Sequence, residues 1–302
     1  MDSRLLQAFV TVADLGGISP AAEKLGYAQS SLSAQLGRLE RELGVALLHR
    51  SSSGATPTEA GLTLLPYARE ALDLDERMRR AVAGLRPRLR VGAQETLAFH
   101  WLPDLLTALD HGAAGRAAAV DVTLTVDTRE RLREALSEGR LDLLFLYDNG
   151  APAPGPHAVI GRDRVVLVAA PGHPLAEPGA ATPEALAAAL FVFAEEGCTS
   201  QMLYSHLGSR LDGAAPVESR TVVTGSKAAL GRMIAQGRGV GLLPRLAVAA
   251  DLASGDLVAL DVPGPATVAV QAWWRPGLGP VEPSVQALLR LARRHPVGQA
   301  LS

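Results

Sequence analysis

The chain contains a single cysteine, Cys198, so no disulfide can staple it internally. Aromatic residues make up only 4%, and no run of about 18 apolar residues occurs, which excludes a helix that crosses a membrane. The N-terminus lacks the sequence of charged start, apolar run and small-residue cleavage site that marks a secretory leader. A soluble, cytoplasmic protein is therefore expected, with no membrane partner. The 7 histidines show no metal-ligand spacing, and a Gly-x-Ser-x-Gly nucleophile turn is absent. Cys198 precedes an expected helix, where a thiol can be acidified, but the chain has no second cysteine to resolve it. The run Gly237-x-Gly239-x-Gly241 lies between a helix and a strand, the reverse of the order a nucleotide-binding loop requires. Neither a metal nor a cofactor is expected, and no catalytic residue is nominated.

Strong positive charge is also missing. Lys and Arg total 29 against 31 Asp and Glu, a formal net charge of −2, and residues 1–60 carry five basic against six acidic side chains. Any case for nucleic-acid binding must rest on pattern rather than on charge. The chain has 302 residues and is 48% hydrophobic, enough for two or three domains with sizeable cores.

Apolar residues from Ser3 to Leu15 recur at helical spacing, and Gly16-Gly17 ends that helix. Ser19-Pro20 opens a second, short helix, with Ser19 as the expected N-cap, that stops at Gly26-Tyr27. A third runs from Gln29 to Leu43, with Leu32, Leu36, Leu39 and Leu43 expected to face inward. Two helices that cross closely need a small residue at the contact, supplied by Ala22. Their tight turn needs positive φ, supplied by Gly26, and the second helix needs an apolar anchor, supplied by Leu32. The outer face then offers Gln29, Ser30, Ser31, Ser33, Gln35 and Arg38, short donors and acceptors of the kind that reach base edges and phosphates. A plain three-helix unit with a polar solvent face satisfies the same spacing. Two short apolar segments around a Ser-Gly tip follow, forming a candidate β-wing that carries Arg50 and Ser52.

The segments Ser19-Pro20-Ala21-Ala22, Gln29-Ser30-Ser31-Leu32-Ser33, Leu39-Glu40, Leu43-Gly44, Leu47-Leu48-His49-Arg50 and Thr58-Glu59-Ala60-Gly61, in that order, resemble the LysR-type transcriptional regulators. The resemblance implies an all-α winged helix-turn-helix over residues 1–58 that binds double-stranded DNA through the residues just named and Ser19. Leu48 stands where the family usually has Phe, and Pro57 where it usually has Leu. The wing tip is rich in serine rather than basic, so weaker wing contacts to phosphate are expected.

Thr58 is an N-cap for a linker helix expected to reach Leu85. Along it Leu64, Tyr67, Ala71, Leu74, Met78, Ala81 and Leu85 step by alternating 3 and 4, a heptad seam that suits a helix pair. An amphipathic helix folded on its own chain is the alternative. The family resemblance implies dimers through residues 59–87, commonly assembled into tetramers.

From Leu89 onward, strands alternate with helices, an α/β pattern expected to give a parallel sheet. A single helix is expected from Thr96 to about Leu109, and residues 148–162 read as a Pro- and Gly-rich crossing segment. Helices near 201–207 and from Lys227, and strands at 217–222 and 267–274, complete the pattern. Residues 88–302 are accordingly expected to form a two-lobed, periplasmic-binding-protein-like region, as LysR-type effector domains do. Lobe I comprises 88–161 and 265–302, and lobe II comprises 162–264. Leu102-Pro103, Gly139–Asp142, Gly172–Leu175 and Gly237–Pro244 carry this looser part of the resemblance.

In open α/β sheets, ligands sit beyond the carboxyl ends of the strands, near helix N-termini. That nominates Gln94, Glu95, Thr96 and Thr128 in one lobe. In the other it nominates Glu196, Gly197, Cys198, Thr199, Gly225, Ser226 and Lys227, although each residue alone could simply cap a helix. The expected ligand is a small-molecule effector, an organic anion, with Glu95 at odds with that sign. An enzyme on an α/β scaffold and a solute-binding protein remain alternatives, opposed by the missing catalytic motif and the missing leader. The regulator reading implies promoter binding changed by the effector, with consequences for RNA polymerase.

Overall fold

The structure is a computed structural model and describes residues 2–51, 54–111, 120–148, 150, 155–193, 221–224, 227–262 and 266–297. Three helices open the chain: α1 (Ser3–Leu15), α2 (Ile18–Leu25) and α3 (Gln29–Leu43). Asp2 caps α1 by accepting from the Arg4 N–H, whereas α2 starts at Gly17 with no side-chain cap. The N-cap expected at Ser19 is thus misplaced. Ser19 lies inside the first turn because extended Gly17 already ends the preceding bend. Gly26, at φ +70°, makes the left-handed turn between α2 and α3. Leu5, Phe9, Val12, Ala21, Ala22, Leu32, Leu36 and Leu39 form one buried cluster with Leu47, Leu65 and Ala68. Leu43 is 40% exposed, contrary to the inward position expected, because the helix ends on Gly44 before its last turn reaches the core.

The wing is a two-stranded hairpin, β1 (Leu48–Ser51) and β2 (Gly54–Pro57), with Leu48 opposite Pro57. Helix α4 (Glu59–Val82) follows, capped by Thr58, whose hydroxyl accepts from the Gly61 N–H. Its start presses against the wing: a β-carbon on Gly61 would lie 2.2 Å from the Leu47 carbonyl oxygen. The helix stops at Val82, three residues short of the expected Leu85, because Gly84 takes φ +66°.

The remaining described elements are β3 (Arg88–Ala93), α5 (Glu95–His100), α6 (Leu102–Asp110), β4 (Asp121–Val126), α7 (Arg129–Ser137), β5 (Leu143–Tyr147) and β6 (His157–Ala169). They continue with α8 (Pro183–Ala188), β7 (Phe191–Phe193), β8 (Thr221–Val223), α9 (Lys227–Ala235), β9 (Gly241–Pro244) and α10 (Arg245–Ser254). The last are β10 (Val258–Ala259), β11 (Ala266–Trp274) and α11 (Glu282–Arg294). The main sheet has the order β10-β6-β11-β5-β3-β4, with β9 also pairing β6, and β7 pairs β8 in parallel.

The sheet is mixed rather than parallel. Strands β4, β3 and β5 run together, but β11 and β6 are antiparallel to their neighbours. Residues 157–162, expected in a crossing segment, belong to strand β6, which starts at His157 and pairs with β11 through Arg162, with a register shift that leaves Ile160 out of the pairing. The single helix expected from Thr96 is two helices, broken at Trp101, whose φ is −136°. Pro103 cannot donate into a continuous helix, and the buried Trp101 turns inward. Its indole N–H donates to the His295 carbonyl at 2.9 Å, and it meets Phe145 edge to face. The largest core lies between this sheet and α6 and α11, and Leu132, Ala135 and Trp273 form a smaller one beneath α7. In the second half of the chain, Val168, Val192, Leu230, Ile234 and Val248 pack under α9 and α10.

Candidate functional site

On α3, Gln29, Ser30 and Ser31 are exposed in the first turn, and Ala28 ahead of them provides no side-chain cap. The opening N–H groups of this helix and three polar side chains therefore share one end, a geometry that receives phosphate. Ser33 and Gln35 are half-buried, and Gln35 Oε1 is enclosed with no hydrogen-bond partner among the described residues. Arg38 is exposed but ion-paired with Glu42 at 3.0 Å. Arg50 on the wing is paired with Glu40 at 3.1 Å. Ser19 is exposed at the start of α2, and Ser52 lies outside the described residues.

Sequence reasoning overlooked the role of Glu40. Its carboxylate accepts from the backbone N–H groups of Leu47 at 2.9 Å and Leu48 at 3.3 Å, and holds Arg50. One acidic side chain thereby fixes the wing to α3. Its place in the Leu39-Glu40 pair of the family pattern was the available signal. A partner seven or eight residues along the chain has no periodicity to reveal it.

The other candidate site lies on the effector side. The carboxyl ends of β3, β4 and β5 are aligned, with Ala93 beside Val126 and Phe145. Gln94 and Thr128 therefore emerge along one edge, as expected. Gln94 is buried, however, and its Oε1 accepts from the Tyr147 N–H at 2.7 Å, which ties two strands together. Thr128 caps α7 by accepting from the Arg131 N–H, and Asp127 already accepts from the Thr128 N–H at 2.8 Å. Asp148, not nominated from sequence, is buried at the same edge beside Arg133 and accepts from the Gly150 N–H.

Glu95 and Thr96 line a groove of about 520 Å³, together with Phe99 and His100 of α5. Its far wall comprises Leu230, Gly231, Arg232 and Ala235 of α9, Ala247, Val248 and Asp251 of α10, and Leu243 and Asp256. Among the described residues the charged lining is thus Glu95, Asp251 and Asp256 against Arg232, with the His100 imidazole beside them. Lys227 begins α9, but its side chain is outside the described residues, as are Glu196, Gly197, Cys198, Thr199, Gly225 and Ser226.

Behind the groove, Asp163 on β6 accepts from the Tyr147 hydroxyl at 2.8 Å and from the Leu246 N–H at the start of α10 at 3.3 Å. Burial pushes the Asp163 carboxyl up from its ordinary value, against the hydrogen bonds it receives. Burial also pushes the Tyr147 phenol well up, and the neighbouring Asp163 charge adds to this.

The matches to known sequence families follow this division. Residues 3–62 match the model of the bacterial regulatory helix-turn-helix protein of the lysR family, and residues 83–296 match the LysR substrate binding domain. The chain belongs to the LysR family. It is a DNA-binding transcriptional regulator with an effector-binding domain, and the family's members are regulators rather than enzymes. A Mycobacterium tuberculosis HTH-type transcriptional regulator is 30% identical over 268 residues, spanning 85% of each chain. ArgP from Mycobacterium tuberculosis has a similar structure at TM-score 0.72 and 19% identity, over 97% of both chains. Full-length LysG from Corynebacterium glutamicum with bound effector Arg aligns at TM-score 0.65 and 21% identity, over 97% of this chain and 99% of that one. In this regulator, among the described residues, no helix is long and apolar enough to cross a membrane.

Proposed function

We propose that the regulator reads a partly palindromic operator through paired copies of α3 and releases or engages RNA polymerase when a small molecule enters the groove between its lobes. The working division is residues 1–58 for DNA, 59–87 for dimerisation and 88–302 for the effector. A single copy carries little positive charge near its recognition helix, since Arg38 and Arg50 are each paired with a glutamate and Arg41, held to the Gly37 carbonyl, stands without a carboxylate partner among the described residues. Two tethered copies compensate by reading two half-sites together. The part of the heptad seam that lies on α4 supports that pairing: Tyr67, Leu74 and Met78 are 66%, 49% and 52% exposed in the single chain. Further pairing of dimers into tetramers fits the same family pattern.

The observation that carries the effector part is the groove, which joins Glu95 and Thr96 to helices of the other lobe. The three carboxylates among its described residues favour a ligand bearing an amine or guanidinium over the organic anion that helix N-termini suggested from sequence. The α7 N-terminus points the same way, because Asp127 and Thr128 already fill it. A basic amino acid is also the effector named for the Corynebacterium glutamicum LysG structure. The test is calorimetric titration of the full chain with arginine, lysine and diamines beside a matched set of dicarboxylates. The expected result is saturable binding by a cationic compound, weakened about tenfold by Glu95→Gln, the loss of one charge-assisted contact. Binding by dicarboxylates alone, indifferent to Glu95→Gln, contradicts the assignment.

A further inference from the structure

The buried apolar clusters divide sharply along the chain. The N-terminal cluster takes its members from residues 5–72, including Leu65 and Ala68 of α4, and the clusters of the effector domain start at Leu89. Among the described residues, therefore, no apolar core joins α4 to lobe I. Ion pairs make the joint. Asp73 of α4 meets Arg90 at 3.0 Å and Arg275 at 2.8 Å, Glu76 meets Arg88 at 3.1 Å, and Arg80 meets Asp121. Farther up the helix, the guanidinium of Arg69 lies between Asp14 of α1 and Glu138, 2.7 Å away, in the cap of α7. With its side chain only 9% exposed, Arg69 touches the DNA-binding domain and the effector domain at once.

The position of α7 gives this contact its meaning. The helix leaves the cleft edge at its cap Thr128, crosses the lobe with its own Leu132 and Ala135 packed against Leu144, Leu146 and Trp273, and is closed by Glu138. Its nine residues form a rod of about 13 Å. Arg133 in its middle is paired with the buried Asp148 of the cleft edge. A displacement at the cleft edge is thus delivered to Glu138 with little loss, since a packed helix moves as a unit.

We infer that the joint between α4 and lobe I is a releasable electrostatic dock, and that Arg69 couples the position of α7 to the DNA-binding domain of the same chain. An apolar interface would hold one angle by close packing. A charged one can exchange one carboxylate partner for another or for water as the angle changes, which suits an element with two arrangements. The burial of Arg69 and its two carboxylates sets the preferred arrangement. Burial works against the Glu138 charge, yet Arg69 and Arg140 hold its carboxyl below the usual range.

The experiment needs neither operator nor effector, so it fails or succeeds independently of the function proposed above. Spin labels are placed at Glu23→Cys on α2 and Arg131→Cys on α7 in a Cys198→Ser chain, diluted with unlabelled full-length chain so that only distances within one copy are read. The parent should give one narrow distribution by pulsed dipolar spectroscopy. Arg69→Gln and Glu138→Gln should each roughly double its width, as expected of a hinge set free by a few ångströms. The parent itself should broaden as ionic strength rises to about 1 M, where screening acts within about 3 Å. The salt series needs no variant, so it stands even if a substitution impairs folding. Distributions that stay at the parent's width in both variants and across the salt series overturn the inference.

Discussion

Replacing Asp142 by alanine removes the lobe I acid that holds Arg90 and Arg275, the two arginines that meet Asp73 of the linker. Asp142 is 1% exposed and accepts from the Arg90 N–H at 2.8 Å, from Arg90 Nη2 at 2.8 Å and from Arg275 Nε at 2.8 Å. Breaking a buried pair by deleting one partner costs about 3–5 kcal/mol, because the other charge stays buried. Here Arg90 and Arg275 both retain Asp73, so we expect the lower end, about 3 kcal/mol. At about 2–4 °C per kcal/mol for a domain of this size, the effector-domain transition should fall by about 6–12 °C in scanning calorimetry of the full chain at pH 7. The dependence on pH has a definite sign. Burial opposes ionisation of Asp142, but the hydrogen bonds and charge of Arg90, with Arg275 behind, outweigh it and hold the carboxyl below its ordinary value. A depressed folded-state pKa contributes stability that is present above the unfolded value of about 3.9 and is lost as pH falls through the folded one. The gap between parent and Asp142→Ala should therefore be full at neutral pH and close in acid below about pH 4. A gap under about 0.5 kcal/mol at pH 7, or one that widens in acid, refutes the electrostatic account of the joint.

Two further substitutions test the two ends of the molecule. Gly61→Ala drives a β-carbon toward the Leu47 carbonyl, where backbone must shift. The variant should lose about 1–3 kcal/mol of N-terminal-domain stability and bind DNA more weakly, measured by denaturation and gel shift. Asp163→Asn keeps an acceptor for Tyr147 and Leu246 while removing a charge that burial disfavours, so it should stay within about 1 kcal/mol of the parent at neutral pH. Asp163→Ala strands both donors and should cost about 2–3 kcal/mol by denaturant melts. Equal losses for the two variants contradict the assigned hydrogen bonds. A raised folded-state pKa contributes stability that is present below the unfolded value and lost as pH rises through the folded one. The Asn variant should therefore gain on the parent as pH rises above about 4.

The N-terminal domain was legible because local geometry dictates it. Close helix crossing demanded Ala22, the turn demanded Gly26, and the core demanded Leu32 at the right spacing. The heptad steps of α4 were readable for the same reason, although the left-handed turn at Gly84 ends the helix before Leu85. What escaped depends on partners distant in sequence. The start of β6 at His157 was hidden by its Pro- and Gly-rich flank, and only its pairing with β11 defines it. The break at Trp101 reflects a contact with residue 295. Gln94 was placed at the correct edge, yet its amide oxygen is occupied by Tyr147, a register effect invisible in one strand alone. The ion pairs of Asp73, Asp142 and Arg69 join segments up to two hundred residues apart and leave no periodic trace.

The central claim, that α3 reads a specific operator, is tested most directly by sequencing the DNA crosslinked to the regulator in its own cells, beside a chain carrying Gln29→Ala and Ser33→Ala. The account predicts a small set of sharp sites, each with two inverted half-sites about one helical turn apart or a multiple of it, that vanish in the altered chain. Coverage that is even across the genome, or sharp sites that persist unchanged in the altered chain, contradicts it.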